Sequence, residues 1–158
     1  MSESVFDRVQ ELLQRHGVPF QVLRHEPVFT SQQAADVRGT SLASGAKALV
    51  CKADDRFVMI VLPADLKLDS KAARQVQGWK KIRFADKQEV LQLTGLEPGS
   101  IPPFGSLFGL PTLCDPRLGN NETINFSAGD HCISVSISYA DYVRAESPEL
   151  GHFGQAGG

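Results

Sequence analysis

The fold of this chain is decided by residues 46–62, which read AKALVCKADDRFVMIVL. Two runs of apolar and branched residues flank the pair Asp54-Asp55, a pattern typical of two strands joined by a tight turn. The second run, 57–62, is apolar at every position, so both of its faces are expected to be covered. These residues predict an antiparallel hairpin whose second strand lies in the middle of a sheet.

Helix and strand patterns are interspersed on both sides of this hairpin. Apolar residues recur at helical spacing from Val5 to Leu13, and Thr30 with Gln33 forms a capping box that begins a second helix. Further helices are expected at 69–76, 86–93 and 140–143, and further strands at 20–23, 81–84, 112–114, 123–126 and 132–137. This order predicts an α/β (α+β) fold: a mixed sheet curled toward a barrel, with flanking helices.

The length and the absence of repeats or linkers indicate one domain. The chain has 158 residues, which is the usual size of a single domain with its own core. Residues 1–145 are expected to form this domain. The glycine-rich residues 146–158 are expected to be a flexible C-terminal tail.

Composition and charge indicate a cytoplasmic protein that is a monomer by default. The net charge is −2, and the three cysteines are far apart, which is typical of reduced, buried thiols. No signal peptide or membrane-spanning run is present in the sequence. Basic residues concentrate in one region, where a solvated helix face and turn would explain them: Lys67, Lys71, Arg74, Lys80, Lys81 and Arg83.

Several common enzyme classes are excluded by their missing motifs. The chain has no GxxxxGK[ST] loop, no GxGxxG after a strand and no GxSxG elbow. Its four histidines show neither i,i+4 pairing nor an HxH pattern, so no metal site and no cofactor are expected. An enzyme with this sequence must therefore work without a bound metal, a catalytic triad or a nucleotide cradle.

Lys47 is the one charged residue within the apolar run 45–50. Burial of an ammonium group without a partner is costly, so such a lysine usually has a counter-charge or a function. The alternative is a side chain that extends from the strand end to the surface.

Lys47 is followed by further segments in a characteristic order: Leu62-Pro63-Ala64-Asp65, Leu68-Asp69-Ser70-Lys71, Arg83-Phe84-Ala85, Leu93-Thr94-Gly95 and PGSIPPFG at 98–105. Together they resemble the YbaK/ProX family, the free-standing relatives of the editing domain inserted in bacterial prolyl-tRNA synthetases. The similarity runs from about Thr30 to Val143. It implies hydrolysis in trans of mischarged tRNA, recognised at the acceptor end, and a mixed sheet curled toward a barrel.

The resemblance also implies the site residues. The catalytic set is Lys47 together with the Gly-x-x-x-P loop that shapes the amino-acid pocket: Gly99, Ser100, Ile101 and Pro103. The substrate-binding set is Thr30, Phe104, Asp115, Gly129 and His131. Other interpretations stay open for three of these residues, because Thr30 is also a plain N-cap, Asp115 a turn former and His131 a surface histidine.

The predicted chemistry is hydrolysis of an activated ester, which needs a placed water and a stabilised oxyanion. In this family a hydroxyl of the terminal ribose is thought to help, which fits the missing protein base.

Members that clear Cys-tRNA tend to carry Gly-Ile-Ser-Pro and a final-strand Asp. Here Ser100-Ile101-Pro102-Pro103 and Ser134 favour alanine, serine or threonine over cysteine. The alternative is a non-catalytic module that binds tRNA or an aminoacyl-tRNA synthetase, and a synthetase partner stays open.

Overall fold

The computed structural model describes residues 3–157. Within this range the chain forms five α-helices and ten strands. The helices are α1 (Val5–Arg15), α2 (Ser31–Arg38), α3 (Ser70–Gln77), α4 (Lys87–Thr94) and α5 (Tyr139–Glu146). The strands are β1 (Gln21–Arg24), β2 (Ala46–Ala53), β3 (Arg56–Pro63), β4 (Leu66–Leu68), β5 (Ile82–Phe84), β6 (Thr112–Cys114), β7 (Thr123–Ser127), β8 (Ile133–Ser138), β9 (Glu149–Leu150) and β10 (Gly154–Ala156).

The described strands form three sheets. The largest has the order β5-β2-β3-β6-β9, and the two others are β1-β8-β7 and β10-β4. In the largest sheet β2 runs antiparallel to β3 and β5, whereas β6 runs parallel to β3 and to β9. The mixed α/β fold and the central hairpin are therefore confirmed.

The strands do not close into a barrel, because the described strands form three separate sheets. β5 pairs with β2 only at residues 51–53, so the same edge of β2 is left unpaired toward its start. One isolated bridge, between Gly45 and Asn125, is the link from this region to β7. The open edge positions the site described below.

Both faces of β3 are covered, as its uniformly apolar sequence predicts. Met59 and Val61 belong to the larger core cluster, which also contains apolar residues of α1, β7 and β8. Val58, Ile60 and Leu62 point to the opposite side and pack in a second cluster with Leu68, Ala73 and Phe153. A central strand with two apolar faces is thus stabilised from both sides by burial of nonpolar surface.

The helix boundaries follow capping residues read from the sequence. Thr30 Oγ1 accepts a hydrogen bond from the Gln33 N–H at 3.1 Å, and Gln33 Oε1 accepts from the Thr30 N–H at 3.3 Å. Asp69 caps α3 and Asp86 caps α4 in the same position, and each satisfies a backbone donor that the first turn leaves unpaired. Across residues 3–157, every helix is too short or too polar to span a bilayer.

The three cysteines are free thiols. Cys51 and Cys114 are buried, and burial raises the pKa of both thiols to about 12. They are therefore unreactive apolar side chains at neutral pH. Cys132 differs from the expectation of a buried thiol, because it is partly exposed in the turn just before β8.

The C-terminal segment is ordered, in contrast to the flexible tail expected from residue 146. It forms β9 beside β6 and β10 beside β4, and the Phe153 ring is fully buried in the second core cluster. Asp115 holds this segment, since its Oδ2 accepts the N–H groups of Phe153 and Gly154, both at 3.0 Å. Composition alone gave no sign of this carboxylate anchor.

Asp115→Asn is expected to destabilise the protein by about 3 kcal/mol, because it removes the charge of a buried carboxylate that holds the partly exposed Arg117 and the C-terminal backbone. Asp115 is fully buried and forms a bidentate pair with Arg117, at 2.9 and 2.6 Å. Urea unfolding at neutral pH measures the loss. The matched control is Asp141→Asn, which breaks an exposed pair with Arg144 and should cost about 0.5 kcal/mol.

The same pair makes stability depend on pH. Burial opposes ionisation of Asp115, but hydrogen bonds from the Arg117 side chain and from the Arg117 and Gly154 backbone outweigh it, so its pKa is lowered. A lowered pKa stabilises the fold above the unfolded value of about 3.9, and this contribution is lost as the pH falls through the folded value. The difference in the free energy of unfolding between wild type and Asp115→Asn should therefore become smaller in acid. A difference that is absent at neutral pH, or that stays constant down to strong acid, would contradict this role.

Candidate active site

A cavity of about 400 Å³ lies against the unpaired edge of β2. Its walls come from β2, from α2 and the residues before it, from the loop around Gly99, and from the end of β5. β5 stops short of this edge, since its last backbone contact there is the hydrogen bond from the Ala85 N–H to the Val50 carbonyl, at 2.9 Å. The size is that of a pocket for a small ligand.

Most of the cavity wall is apolar, with two cations set into it. The charged residues among the described lining are Lys47 and Arg38, and no aspartate, glutamate, histidine or cysteine lines the cavity within residues 3–157. Apolar walls reduce the screening of charge, so each cation acts more strongly on a bound oxygen than it would in water.

Lys47 is half-buried in β2, and its ammonium group donates a hydrogen bond to the Leu66 carbonyl in β4. Burial lowers the pKa of Lys47 below its usual value, and the nearby Asp65 carboxylate opposes part of this shift. The side chain therefore neither extends freely into solvent nor forms a close ion pair among the described residues. Its position at a cavity favours a functional interpretation.

Arg38, in the last turn of α2, is the second cation, and the sequence analysis missed it. Its Nε donates to Ser134 Oγ at 2.8 Å and its Nη2 to Ser127 Oγ at 3.4 Å. Burial lowers the pKa of Arg38 to about 10, so it stays charged at neutral pH. No carboxylate within residues 3–157 forms an ion pair with it. Its Nη1 lies beside the open edge of β2, since a Cβ atom added to Gly45 would be 3.8 Å from it.

The Gly99–Gly105 loop forms one wall of the cavity through Gly99 and Ile101. Gly99 has a φ of 93°, a conformation that other residues rarely adopt. Among the described residues, the N–H groups of Gly99 and Ile101 donate to no other protein group, whereas the Ser100 N–H is used internally by Glu97. Two residues of the cavity lining thus carry backbone donors that have no partner among the described residues.

The loop is held in place from behind. The Ser100 carbonyl accepts the Gly129 N–H at 2.8 Å, and the Pro103 carbonyl accepts the Tyr142 hydroxyl at 2.7 Å. Tyr142 is fully buried, and Phe104 packs edge-on against its ring at 5.4 Å between centroids. These contacts fix the loop before any ligand binds, which is what a preorganised donor needs.

The structure brings together some of the predicted site residues. Thr30, Lys47, Gly99 and Ile101 line the cavity. Ser100 and Pro103 are buried and support the loop, but they are not part of the cavity lining. Phe104 lies fully in the larger core, and Asp115 is the anchor of the C-terminal segment, so the structure gives both a packing role.

Gly129 and His131 lie behind the loop, outside the cavity lining. A Cβ on Gly129 would lie 2.8 Å from Val5, so this turn fits closely against α1. His131 Nδ1 donates to the Val28 carbonyl at 3.1 Å, and its ring packs on Phe29 at 4.7 Å between centroids. Both residues therefore position the walls of the cavity.

Residues missed by the sequence analysis are Arg38 and the rim residues Phe29 and Phe84, whose side chains are 64% and 57% exposed. A basic residue in the last turn of a helix is ordinarily explained by the helix dipole, so Arg38 carried no distinguishing signal. Phe84 belongs to a motif quoted above, but its exposure depends on where β5 ends.

Comparison with known proteins places the chain in a family. A model of the aminoacyl-tRNA editing domain matches residues 25–145. A "Multifunctional Ser/Thr-tRNA deacylase ProXp-y" of Escherichia coli strain K12 is 37% identical over 151 residues, covering 92% of this chain and 90% of the relative. This chain therefore belongs to the aminoacyl-tRNA editing domain family, which confirms the resemblance found in its motifs.

More distant relatives agree. The Bacillus subtilis protein YwhH is 33% identical over 110 residues, with 69% of each chain covered. A Bacillus licheniformis proline–tRNA ligase is 27% identical over 132 residues, which is 74% of this chain but 22% of the ligase. The similarity to the ligase is thus confined to one segment of that longer protein.

Solved structures show the same fold. The crystal structure of the protein APE2540 superposes with a TM-score of 0.86 at 22% identity, covering 94% of this chain and 99% of that one. A candidate trans-editing enzyme for prolyl tRNA synthetase superposes with a TM-score of 0.83 at 21% identity and covers nearly all of both chains. At these identities the comparison establishes the fold alone.

Proposed function

We propose that this protein is an aminoacyl-tRNA deacylase that hydrolyses, in trans, the ester of tRNA mischarged with a small amino acid, serine and threonine foremost. The observation that carries the proposal is the cavity itself, which combines two poorly screened cations with two free backbone donors. The name of the Escherichia coli relative, a Ser/Thr-tRNA deacylase, supports serine and threonine, because its similarity to this protein covers nearly the whole chain. Ser134, where cysteine-clearing members tend to carry Asp, agrees with this choice.

The residues of the cavity suit ester hydrolysis without a protein base. Water adds to the ester carbonyl, an oxyanion develops, and collapse releases the ribose hydroxyl and the free amino acid. We assign donation to the oxyanion to the N–H groups of Gly99 and Ile101, and the Lys47 ammonium adds positive charge nearby. No carboxylate, imidazole or thiol of residues 3–157 lines the cavity, so the water is activated by position and by the substrate's own hydroxyl.

We assign to Arg38 a role in orienting the substrate. Two of its nitrogens are fixed by Ser127 and Ser134, which leaves Nη1 for an oxygen of the aminoacyl group. A planar guanidinium held in this way is more directional than an ammonium group. Lys47 and Arg38 thus have separate roles, one at the reacting carbonyl and one in orientation.

Single-turnover deacylation tests the function. The chain is mixed in excess with tRNAs charged with Ala, Ser, Thr, Cys and Pro, and the ester half-life is compared with that in buffer. Hydrolysis of Ser-tRNA and Thr-tRNA above the others is the expected result. Stable esters across the panel, with tRNA bound, would instead indicate the non-catalytic binding module.

Assembly and location stay predictions. We expect a monomer in the cytoplasm that recognises the acceptor end of tRNA, and a synthetase partner is an open addition. Co-elution of the pure chain with tRNA, with and without a synthetase, shows whether the chain binds tRNA alone or together with the synthetase.

A further inference from the structure

Beside the cavity lies a second concave surface of about 550 Å³, lined by residues of β2, α3 and β5. Its cations are Lys52, Arg74, Lys80, Lys81 and Arg83, and we call this surface the basic groove. We propose that the basic groove binds the phosphates of the tRNA acceptor arm and that Phe84 stacks on a base at its 3′ end. The proposal rests on the proposed function, because it assumes that an aminoacyl ester enters the cavity.

The positive charge of the groove is local. The whole chain has a net charge of −2, yet residues 70–85 contain five cations and no acidic residue. Among residues 3–157, Asp54 is the one carboxylate that lines the groove, and it accepts the backbone N–H groups of Lys80 and Lys81, both at 3.0 Å. Asp54 therefore shapes the turn beneath these lysines while their ammonium groups stay available.

Most of these cations have no acidic partner. Arg83 is engaged by Glu89 through two hydrogen bonds, at 2.8 and 2.9 Å. Within residues 3–157, Lys52, Lys80, Lys81 and Arg74 form no ion pair. A solvated helix face usually carries acidic residues among its lysines and arginines, whereas α3 carries none. Unpaired cations around a concave surface match a run of phosphates.

Strand β5 connects the groove to the cavity. Ile82 and Arg83 line the groove, while Phe84 and Ala85 line the cavity. The Phe84 ring, which is 57% exposed, lies where a chain crossing from one to the other must pass. Aromatic rings in such positions stack on unpaired bases, and the 3′ end of tRNA is single-stranded.

Charge removal tests the groove. The double variant Lys80→Gln/Lys81→Gln is compared with Arg15→Gln/Arg24→Gln, which removes two exposed cations elsewhere. We expect the groove variant to weaken binding of uncharged tRNA by about tenfold and to lower the salt slope of log K by about 2, with the control unchanged. Equal affinity and salt slope for the two variants would overturn the proposal.

A minimal substrate separates the groove from the chemistry. Seryl-adenosine has the ester and one base but no phosphates, so the groove variant should hydrolyse it at the wild-type rate while its KM for Ser-tRNA rises. Loss on both substrates would mean that the groove supports the cavity rather than binding phosphates, and would overturn the proposal. A wild-type protein that hydrolyses neither substrate would contradict the proposed function. The binding of uncharged tRNA would still test whether the groove binds phosphates.

The stacking role has its own variant. Phe84→Ala should raise KM for Ser-tRNA and for seryl-adenosine alike, with kcat retained, and Phe84→Tyr should restore both. The control is Leu91→Ala, which removes another exposed apolar side chain, from α4. A Phe84→Ala protein with unchanged KM for seryl-adenosine would remove Phe84 from the proposal.

Discussion

Lys47→Met is expected to lower the single-turnover rate of Ser-tRNA hydrolysis by about a hundredfold, the usual loss when one group stabilising an oxyanion is removed. Methionine keeps the apolar stem, and one hydrogen bond to the Leu66 carbonyl is lost, so the free energy of unfolding should fall by about 1 kcal/mol or less. The control is Lys67→Met, an exposed lysine in β4, which should have wild-type activity.

The pKa of Lys47 gives this prediction a pH dependence. Burial lowers that pKa below the ordinary value of about 10.4, so the charge is lost at a lower pH than in a free lysine. The ratio of wild-type to Lys47→Met rates should be constant near neutral pH and fall as the pH rises through the lowered pKa. An unfolded Lys47→Met protein would make Lys47 structural, and a folded one as active as wild type would remove Lys47 from the catalytic set.

Arg38→Met is expected to reduce activity by about a hundredfold and yet to increase stability by about 1 kcal/mol. The guanidinium group is partly buried and has no carboxylate partner among the described residues, so the fold bears part of the cost of its desolvation. After substitution, Ser134 Oγ keeps its hydrogen bond with His25 Nε2, at 2.8 Å. Thermal or urea unfolding together with single-turnover kinetics measures both effects.

Two comparisons sharpen this expectation. Arg117→Met should destabilise the protein, because it leaves Asp115 buried without its partner, so the two arginines should show effects of opposite sign. Arg38→Lys keeps the charge but loses the fixed fork, and we expect about a tenfold loss of activity. An Arg38→Met protein that is destabilised with full activity would show that Arg38 only supports α2.

The secondary structure was predictable because its signals are local. The capping box at Thr30 and the apolar run of β3 each act within a few residues, and each was confirmed. The C-terminal segment was not predictable in this way. Its order depends on a carboxylate 38 residues away, Asp115, and on the burial of Phe153.

The site was predictable only where a motif carries it. Lys47, Gly99, Ile101 and Thr30 belong to segments that resemble the family, and they do line the cavity. The same resemblance could not distinguish residues that line the cavity from residues that support its walls. Phe104 and Asp115 were therefore given substrate contacts, although their burial gives them packing roles. The unpaired edge of β2 depends on where β5 stops, which no pattern in β2 itself reveals.

The most direct test of the central claim is a crystal structure with a stable amide analogue of seryl-adenosine. The account predicts that the seryl group lies in the cavity between Lys47 and Arg38, with its carbonyl oxygen within hydrogen-bond reach of the Gly99 or Ile101 N–H. Arg38 also borders a separate cavity near Gln21, Thr40 and Asn125. An analogue bound there, with the edge of β2 empty, would contradict the account.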